Sequence, residues 1–422
     1  MTGACQRVVV VGQGYVGLPL AMRLVEVGHD VVGYDVDENR VKRLAAGESY
    51  VEDVADERLL AALGSGHFQP TSQSRDCAGF DVAIITVPTP LKDGNPDLGY
   101  VEESGRTLAR FLRPGATVVL ESTTYPGTTD ELLRPILEDG SGLTAGADFH
   151  LGYSPERIDP GNTEWGLHNT PKVVSGIDGR SLEAVSAFYG TFVERTVPVA
   201  GTREAELTKL LENTFRHVNI ALVNELAMFA SDMGIDVWEA IDAASTKPFG
   251  YMRFTPGPGV GGHCLPIDPS YLSWRVRRAL GHSFRFVELA NDINEHMPDY
   301  VVHRLMIALN RQQRAVGGSQ ILLLGLAYKR NTGDAREAPA AAVADRLLSL
   351  GAIVSAADPY VVEEHVDPRV QRVECTAAEL AGADAVILLT DHDAFDYEAV
   401  VASASWVLDT RHRLSGSNVE HL

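Results

Sequence analysis

The stretch Arg7-Val-Val-Val-Val-Gly12-Gln-Gly14-Tyr15-Val16-Gly17, running on through a helical segment to Val27 and then Val31-Val-Gly-Tyr-Asp35, decides the fold. Residues 7–11 read as a buried parallel strand. Gly12, Gly14 and Gly17 make G-x-G-x-x-G between that strand and a helix, and Gly28 stops the helix. A second strand over 31–35 ends on Asp35, close to the expected distance of about 20 residues from the glycines. Strand, glycine turn, helix, strand, acid is the fingerprint of a dinucleotide site. The helix N-terminus suits a pyrophosphate. Asp35 suits ribose hydroxyls and repels a 2′-phosphate, so the cofactor expected is NAD rather than NADP.

Working outward, strands at α/β spacing recur at 81–87 and 117–121. The first runs into Pro88-Thr89-Pro90, the second into Ser122-Thr123-Thr124-Tyr125-Pro126-Gly127. Ligands of doubly wound sheets bind beyond the carboxyl ends of strands, so both loops are expected to flank the nicotinamide. A third loop, 152–162, carries Glu156, which reads either as a base or water-positioning group or as part of a surface turn.

Helical periodicity runs over 203–233. Lys209 and Asn213 lie four apart, hence on one face, which is costly unless they meet a ligand. Arg203, Glu206 and Glu212 allow the alternative of a solvated stripe. Further helices are expected at 236–245, 270–281 and 284–311. Between them lies Thr255-Pro-Gly-Pro-Gly-Val-Gly-Gly-His-Cys-Leu-Pro-Ile-Asp-Pro269. Its glycines permit close approach to a ligand. Asp268-Pro269 reads as an N-cap and first helical residue, which places Cys264 just ahead of a helix N-terminus with His263 beside it. Both neighbours favour thiolate, so Cys264 is a candidate nucleophile; the alternative is a structural loop with an incidental thiol.

A second α/β unit follows, with strands at 320–324, 352–357, 384–389 and 406–409 and a helix from Glu337 to about Leu350. Its first loop lacks the glycine fingerprint and carries Lys329, Asp334 and Arg336 instead, while Arg411 follows the last strand. This reads as a site for a different phosphate-bearing ligand, or as a basic surface loop. The fold class expected is α/β: two Rossmann-like doubly wound domains joined by a central helical domain with a long helix. The domain limits expected are 1–200 (NAD), 201–310 (central, with a dimer contact) and 311–422 (sugar nucleotide).

Composition sets limits on partners. A net charge of −21 over 422 residues argues against nucleic acid and anionic membrane surfaces. No apolar run is long enough for a membrane span, and no charged-then-apolar leader precedes the first strand. Cys5, Cys77, Cys264 and Cys375 form no C-x-x-C pair, so neither a metal site nor a disulfide framework is expected, and a reducing cytoplasm fits. Only six of the 36 basic residues are lysine. Lys42, Lys92 and Lys172 read as incidental; Lys209 and Lys329 do not.

Together, Gly12–Pro19, Ser154-Pro-Glu-Arg157, Lys209-Leu-Leu-Glu-Asn213, Gly261–Asp268 and Gly325–Arg336 resemble the nucleotide-sugar 6-dehydrogenase family, in order across nearly the whole chain. The resemblance implies a four-electron oxidation of a sugar C6 hydroxymethyl to a carboxylate with two NAD reduced. It implies Asp268 as base, Cys264 as the nucleophile forming a thiohemiacetal and then a thioester, Lys209 and Asn213 at the oxyanion, and Glu156 and Thr124 orienting the hydrolytic water. NAD contacts are implied at Gly12, Gly14, Tyr15, Val16, Gly17, Asp35, Pro88, Thr89, Thr123 and Lys329. Substrate contacts are implied at Arg157, Lys209, Asn213, Arg253, Gly261, Lys329, Arg336 and Arg411, with a homodimer or higher homo-oligomer. Ile267 and the Pro-Gly-Pro-Gly form look like the N-acetylhexosamine branch. The arginine- and alanine-rich composition suggests a high-GC bacterial source, and on that ground UDP- or dTDP-glucose is expected, with N-acetylhexosamine as the alternative. Competing classes are a two-electron hydroxyacid dehydrogenase, a non-catalytic nucleotide-binding protein, and an epimerase or dehydratase.

Overall fold

The computed structural model describes residues 5–422 except 93–94, 159–161, 163, 263 and 363–365; the side chains of Cys264, Pro266 and Ile267 also lie outside the described residues. The chain divides into two compact units, Met1–Glu212 with Trp274–Gly281, and Asn213–Ser273 with His282–Leu422.

The first unit is built on a six-stranded parallel sheet. From edge to edge the strands are Phe68–Thr71, Asp30–Tyr34, Arg7–Val11, Val82–Ile85, Thr117–Leu120 and His150–Tyr153. The Val8–Val11 run is buried, as a strand with helices on both faces requires. The helix Gly17–Glu26 buries Leu18, Leu20, Met22 and Leu24 against this sheet's core. The strand order reverses between Arg7–Val11 and Val82–Ile85, the point at which sheets of this kind bind their ligands.

The second unit repeats the plan. Its parallel order is Gln371–Arg372, Ile353–Ala357, Gln320–Leu324, Ala385–Leu388, Val407–Asp409, Val419–His421. Ile321, Leu323, Val343, Leu347 and Ile387 form a fully buried core, which Met297, Val301 and Leu305 of the helix Arg285–Arg311 join. The helices Thr202–Asp232 and Val237–Ser245 meet through Val223, Ala227, Ala230, Trp238 and Ile241. The fold is therefore two Rossmann-like domains joined by a central helical domain.

One boundary needs correction. The helix expected from 270 starts earlier, at Cys264, and runs to Leu280 with Pro269 inside it. Asp268 is then not its N-cap. Pro266 falls in the first turn, where amides have no helical partner, so that proline costs no bond. Cys264 is the first residue of the helix rather than the residue ahead of it. Among the described residues, no helix is long and apolar enough to cross a membrane.

Candidate functional site

In the first unit, the turn after Arg7–Val11 is shaped by contacts that only glycine tolerates. Gly12 has φ +91°, and a Cβ on Gly17 would stand 1.8 Å from the Gly12 carbonyl oxygen. Around Gly14 nothing lies within 4 Å of where a Cβ would be, which leaves room for a ligand beside the backbone. Thr86 Oγ1 donates to the Val11 and Gly12 carbonyls, both at 2.9 Å, and closes the far side of the turn. The helix begins without a side-chain cap or an acidic residue in its first turn, so its end remains suited to a pyrophosphate. Asp35 is buried just past its strand; its carboxylate accepts from the amides of Gln13 (2.8 Å) and Asp37 (2.9 Å). These residues fit NAD: bare backbone, an uncapped helix start and a fixed acid after the second strand, where the ribose is bound. Tyr15 is exposed, Val16 half-buried, and Pro88, Thr89 and Thr123 follow the next strands of the same sheet.

The loop 122–129 is fastened from the long helix. Glu206 accepts from Gly127 N, Thr129 N (2.8 Å) and Thr129 Oγ1 (2.7 Å). Thr124 is fully buried, and its hydroxyl donates to Thr128 Oγ1, which donates to the Tyr125 carbonyl (2.8 Å). Sequence allowed Glu206 a place on a solvated stripe; the structure corrects this, since Glu206 is fully buried. Burial pushes its carboxyl up to about 7, against the pull of its three donors. A carboxyl whose folded pKa exceeds its ordinary value of 4.5 stabilises the fold fully below that value, and the contribution is lost as pH rises through 7. The loss is worth up to about 3 kcal/mol. The melting temperature of the wild type is therefore expected to fall from about pH 5 to about pH 8 more steeply than that of Glu206→Gln; parallel slopes would show that Glu206 is ionised throughout.

Three residues further along the same helix, Lys209 Nζ donates to the Glu156 carbonyl oxygen at 2.7 Å. Glu156 Oε1 accepts from the amides of Arg157 (2.6 Å) and Ile158 (2.5 Å). Arg157 pairs with Glu212 at 2.7 Å and donates to the Pro171 carbonyl. So Glu206, Lys209 and Glu212 tie two strand-end loops to one helix. Glu156 is buried, not part of a surface turn. Lys172, read from sequence as incidental, is also buried and lies 3.1 Å from Glu121 and 3.5 Å from Glu156. Sequence reasoning missed Glu121, Lys172 and Glu206; the scarcity of lysine was the one available signal.

In the second unit, Asn213 Nδ2 donates to the carboxylate of Asp268, which is 2% exposed. Cys264 opens the helix that carries Asp268; its thiol, and all of His263, lie outside the described residues. The glycine loop leading there is anchored by buried amides. Gly257 N donates to Asn224 Oδ1, and Asn224 Nδ2 donates to Asn294 Oδ1, both at 2.9 Å. Gly262 N donates to the Arg336 carbonyl at 3.1 Å. A Cβ on Gly261 would stand 2.7 Å from the Glu337 carbonyl, and one on Gly257 3.1 Å from Arg411 Nη1. The loop therefore meets both the 325–339 loop and Arg411, bringing Gly261, Arg336 and Arg411 into one neighbourhood. Arg336 chelates Asp334 through Nε (2.8 Å) and Nη2 (2.5 Å), and Lys329 lies on the same loop. Arg253 is instead paired with Asp242 at 2.7 Å.

Comparison with known proteins places three family descriptions along the chain: UDP-glucose/GDP-mannose dehydrogenase family, NAD binding domain at residues 6–193, central domain at 203–296, and UDP binding domain at 322–416. A UDP-N-acetyl-D-mannosamine dehydrogenase of Pyrococcus horikoshii is 38% identical over 92% of this chain and 90% of its own length. A UDP-N-acetyl-D-glucosamine 6-dehydrogenase of Pseudomonas aeruginosa is 36% identical over 92% of this chain and 91% of its own. A solved UDP-glucose dehydrogenase of Pyrobaculum islandicum matches with TM-score 0.88 at 30% identity, over 99% of this chain and 96% of that one.

Proposed function

The chain belongs to the UDP-glucose/GDP-mannose dehydrogenase family, NAD-dependent oxidoreductases of nucleotide sugars, and we propose that it oxidises C6 of a UDP-N-acetylhexosamine to the carboxylate in two successive steps. The observation that carries the reading is the kinship of the whole chain with proteins named for UDP-N-acetyl-D-mannosamine and UDP-N-acetyl-D-glucosamine. The expectation of a glucose-type sugar is set aside on that ground. Ile267 and the Pro256-Gly-Pro-Gly259 form agree with the N-acetylhexosamine branch. A backbone likeness to a UDP-glucose enzyme does not discriminate, because an N-acetyl group is recognised by pocket side chains.

NAD, when bound, supplies the hydride acceptor for both oxidations. The chain's own groups do the rest. Asp268, whose carboxylate accepts from the Asn213 amide, takes the C6 hydroxyl proton directly or through a water. Cys264 adds to the aldehyde as thiolate, favoured by its place at a helix N-terminus. Lys209, which donates to the Glu156 carbonyl, and Asn213 are assigned to stabilising the developing oxyanion. Glu156 and Thr124 orient the water that cleaves the thioester. Lys329, Arg336 and Arg411 hold the nucleotide diphosphate, Arg157 and Gly261 add substrate contacts, and Arg253, on exchanging its Asp242 partner, touches the diphosphate or sugar across a dimer interface. Leu207, Leu211, Phe215, Leu222, Leu226 and Phe229 of the long helix are exposed at spacings that form one stripe, which we assign to a second copy of the chain. The test is turnover of UDP-N-acetylmannosamine, UDP-N-acetylglucosamine, UDP-glucose and dTDP-glucose offered separately. An N-acetylhexosamine is expected to be preferred; preference for either glucose nucleotide would overturn the substrate assignment.

A further inference from the structure

Lys172 opens the short strand Lys172–Val174, and its side chain is 4% exposed. It stands between two carboxylates that leave neighbouring strands of the first sheet. Glu121, after Thr117–Leu120, is 3.1 Å from its ammonium; Glu156, after His150–Tyr153, is 3.5 Å away. Tyr189, from the helix Gly179–Tyr189, donates its hydroxyl to the other Glu121 oxygen, and its ring lies 5.4 Å from the ammonium. Lys209, from the long helix, completes the set of groups around Glu156. A buried cation is costly unless it is paired and hydrogen-bonded, and removing one partner of such a pair leaves an uncompensated buried charge.

What Lys172 holds is residue 156 itself. The Glu156 side chain is gripped at Oε2 by Lys172 and at Oε1 by the Arg157 and Ile158 amides, while its carbonyl receives Lys209. We infer that Lys172 is a positioning residue: by bridging Glu121 and Glu156 it fixes the orientation of the residue-156 peptide on which the Lys209 ammonium is seated. Its importance for catalysis rests on the roles proposed above for Lys209 and Glu156. Two acids share the one Lys172 ammonium, so the acids differ in character. Despite burial, Lys172, the two amides and Lys209 hold Glu156 below the usual carboxylate range. Burial pushes Glu121 up, with the charge of Glu156 adding to the effect. Glu156 keeps the negative charge and Glu121 is the first to take a proton.

The experiment follows the carboxyl carbon of Glu156 by NMR in full-length protein labelled with 13C-glutamate, the signal being assigned by its disappearance in Glu156→Gln. In Lys172→Met its titration midpoint is expected to rise by about one pH unit or more, the usual effect of removing an adjacent cation. Lys172→Met/Glu121→Gln leaves no unpaired charge at positions 121 and 172, and it is expected to fold and show the same rise. An unmoved midpoint in the folded variants would overturn the inference. With turnover, kcat should fall about tenfold or more at unchanged KM, whereas a merely structural lysine would move stability and leave kcat in place. The titration needs no substrate. A wild type that oxidises none of the four sugar nucleotides would therefore sink the functional reading, while an unmoved midpoint beside normal turnover would sink the role of Lys172 alone.

Discussion

Replacing Cys264 with serine is expected to lower carboxylate formation by at least about 10³-fold, because a hydroxyl at its ordinary pKa is a poor nucleophile beside a thiolate. Cys264 begins a helix, where the unpaired amides favour an anion. Serine keeps the size of the side chain and loses that acidity. The first oxidation does not need the thiolate, so NAD and sugar-nucleotide binding are expected to stay near wild type. Mass spectrometry of the products, with binding measured separately, checks both halves. Carboxylate formed at the parent rate would remove Cys264 from the chemistry.

The second large effect is expected at Lys209. Lys209→Met keeps the length of a side chain that is only 8% exposed and removes the charge. Loss of one oxyanion donor in a desolvated site lowers kcat by about 10² to 10³-fold. KM for the sugar nucleotide is expected to change little, because the donor acts on charge that develops after binding. The Glu156 carbonyl also loses its partner, which costs about 1 to 3 kcal/mol of stability if no water replaces it. Steady-state kinetics and thermal melts on the same preparation separate the two. A raised KM with unchanged kcat would make Lys209 a binding group only.

The first sheet was legible from residues 7–35 because its signals are local. A buried apolar strand, three glycines at fixed spacing and an acid at the next strand end lie within one βαβ unit. The second sheet was legible from strand spacing alone, without any fingerprint. The start of the helix at Cys264 was misread because Asp268-Pro269 imitates an N-cap and first residue, while Pro266 is equally at home in a first turn. Glu206 and Lys172 show a different limit. Their burial depends on partners 51 to 79 residues away in sequence, Glu121 for Lys172 and the 127–129 loop for Glu206. No period or motif within a helix or strand records such a pairing. For the sugar, composition and loop sequence point different ways, and the relatives named for N-acetylhexosamines side with the loop; composition reports on a genome, and the loop reports on a ligand.

The claim on which the rest depends is a four-electron oxidation carried by one chain. It is tested most directly by counting NADH released per sugar consumed, with purified protein and each of the four sugar nucleotides. Two NADH per sugar, with the carboxylate as sole product and an N-acetylhexosamine preferred, is the predicted result. One NADH per sugar, with the aldehyde accumulating, would contradict it.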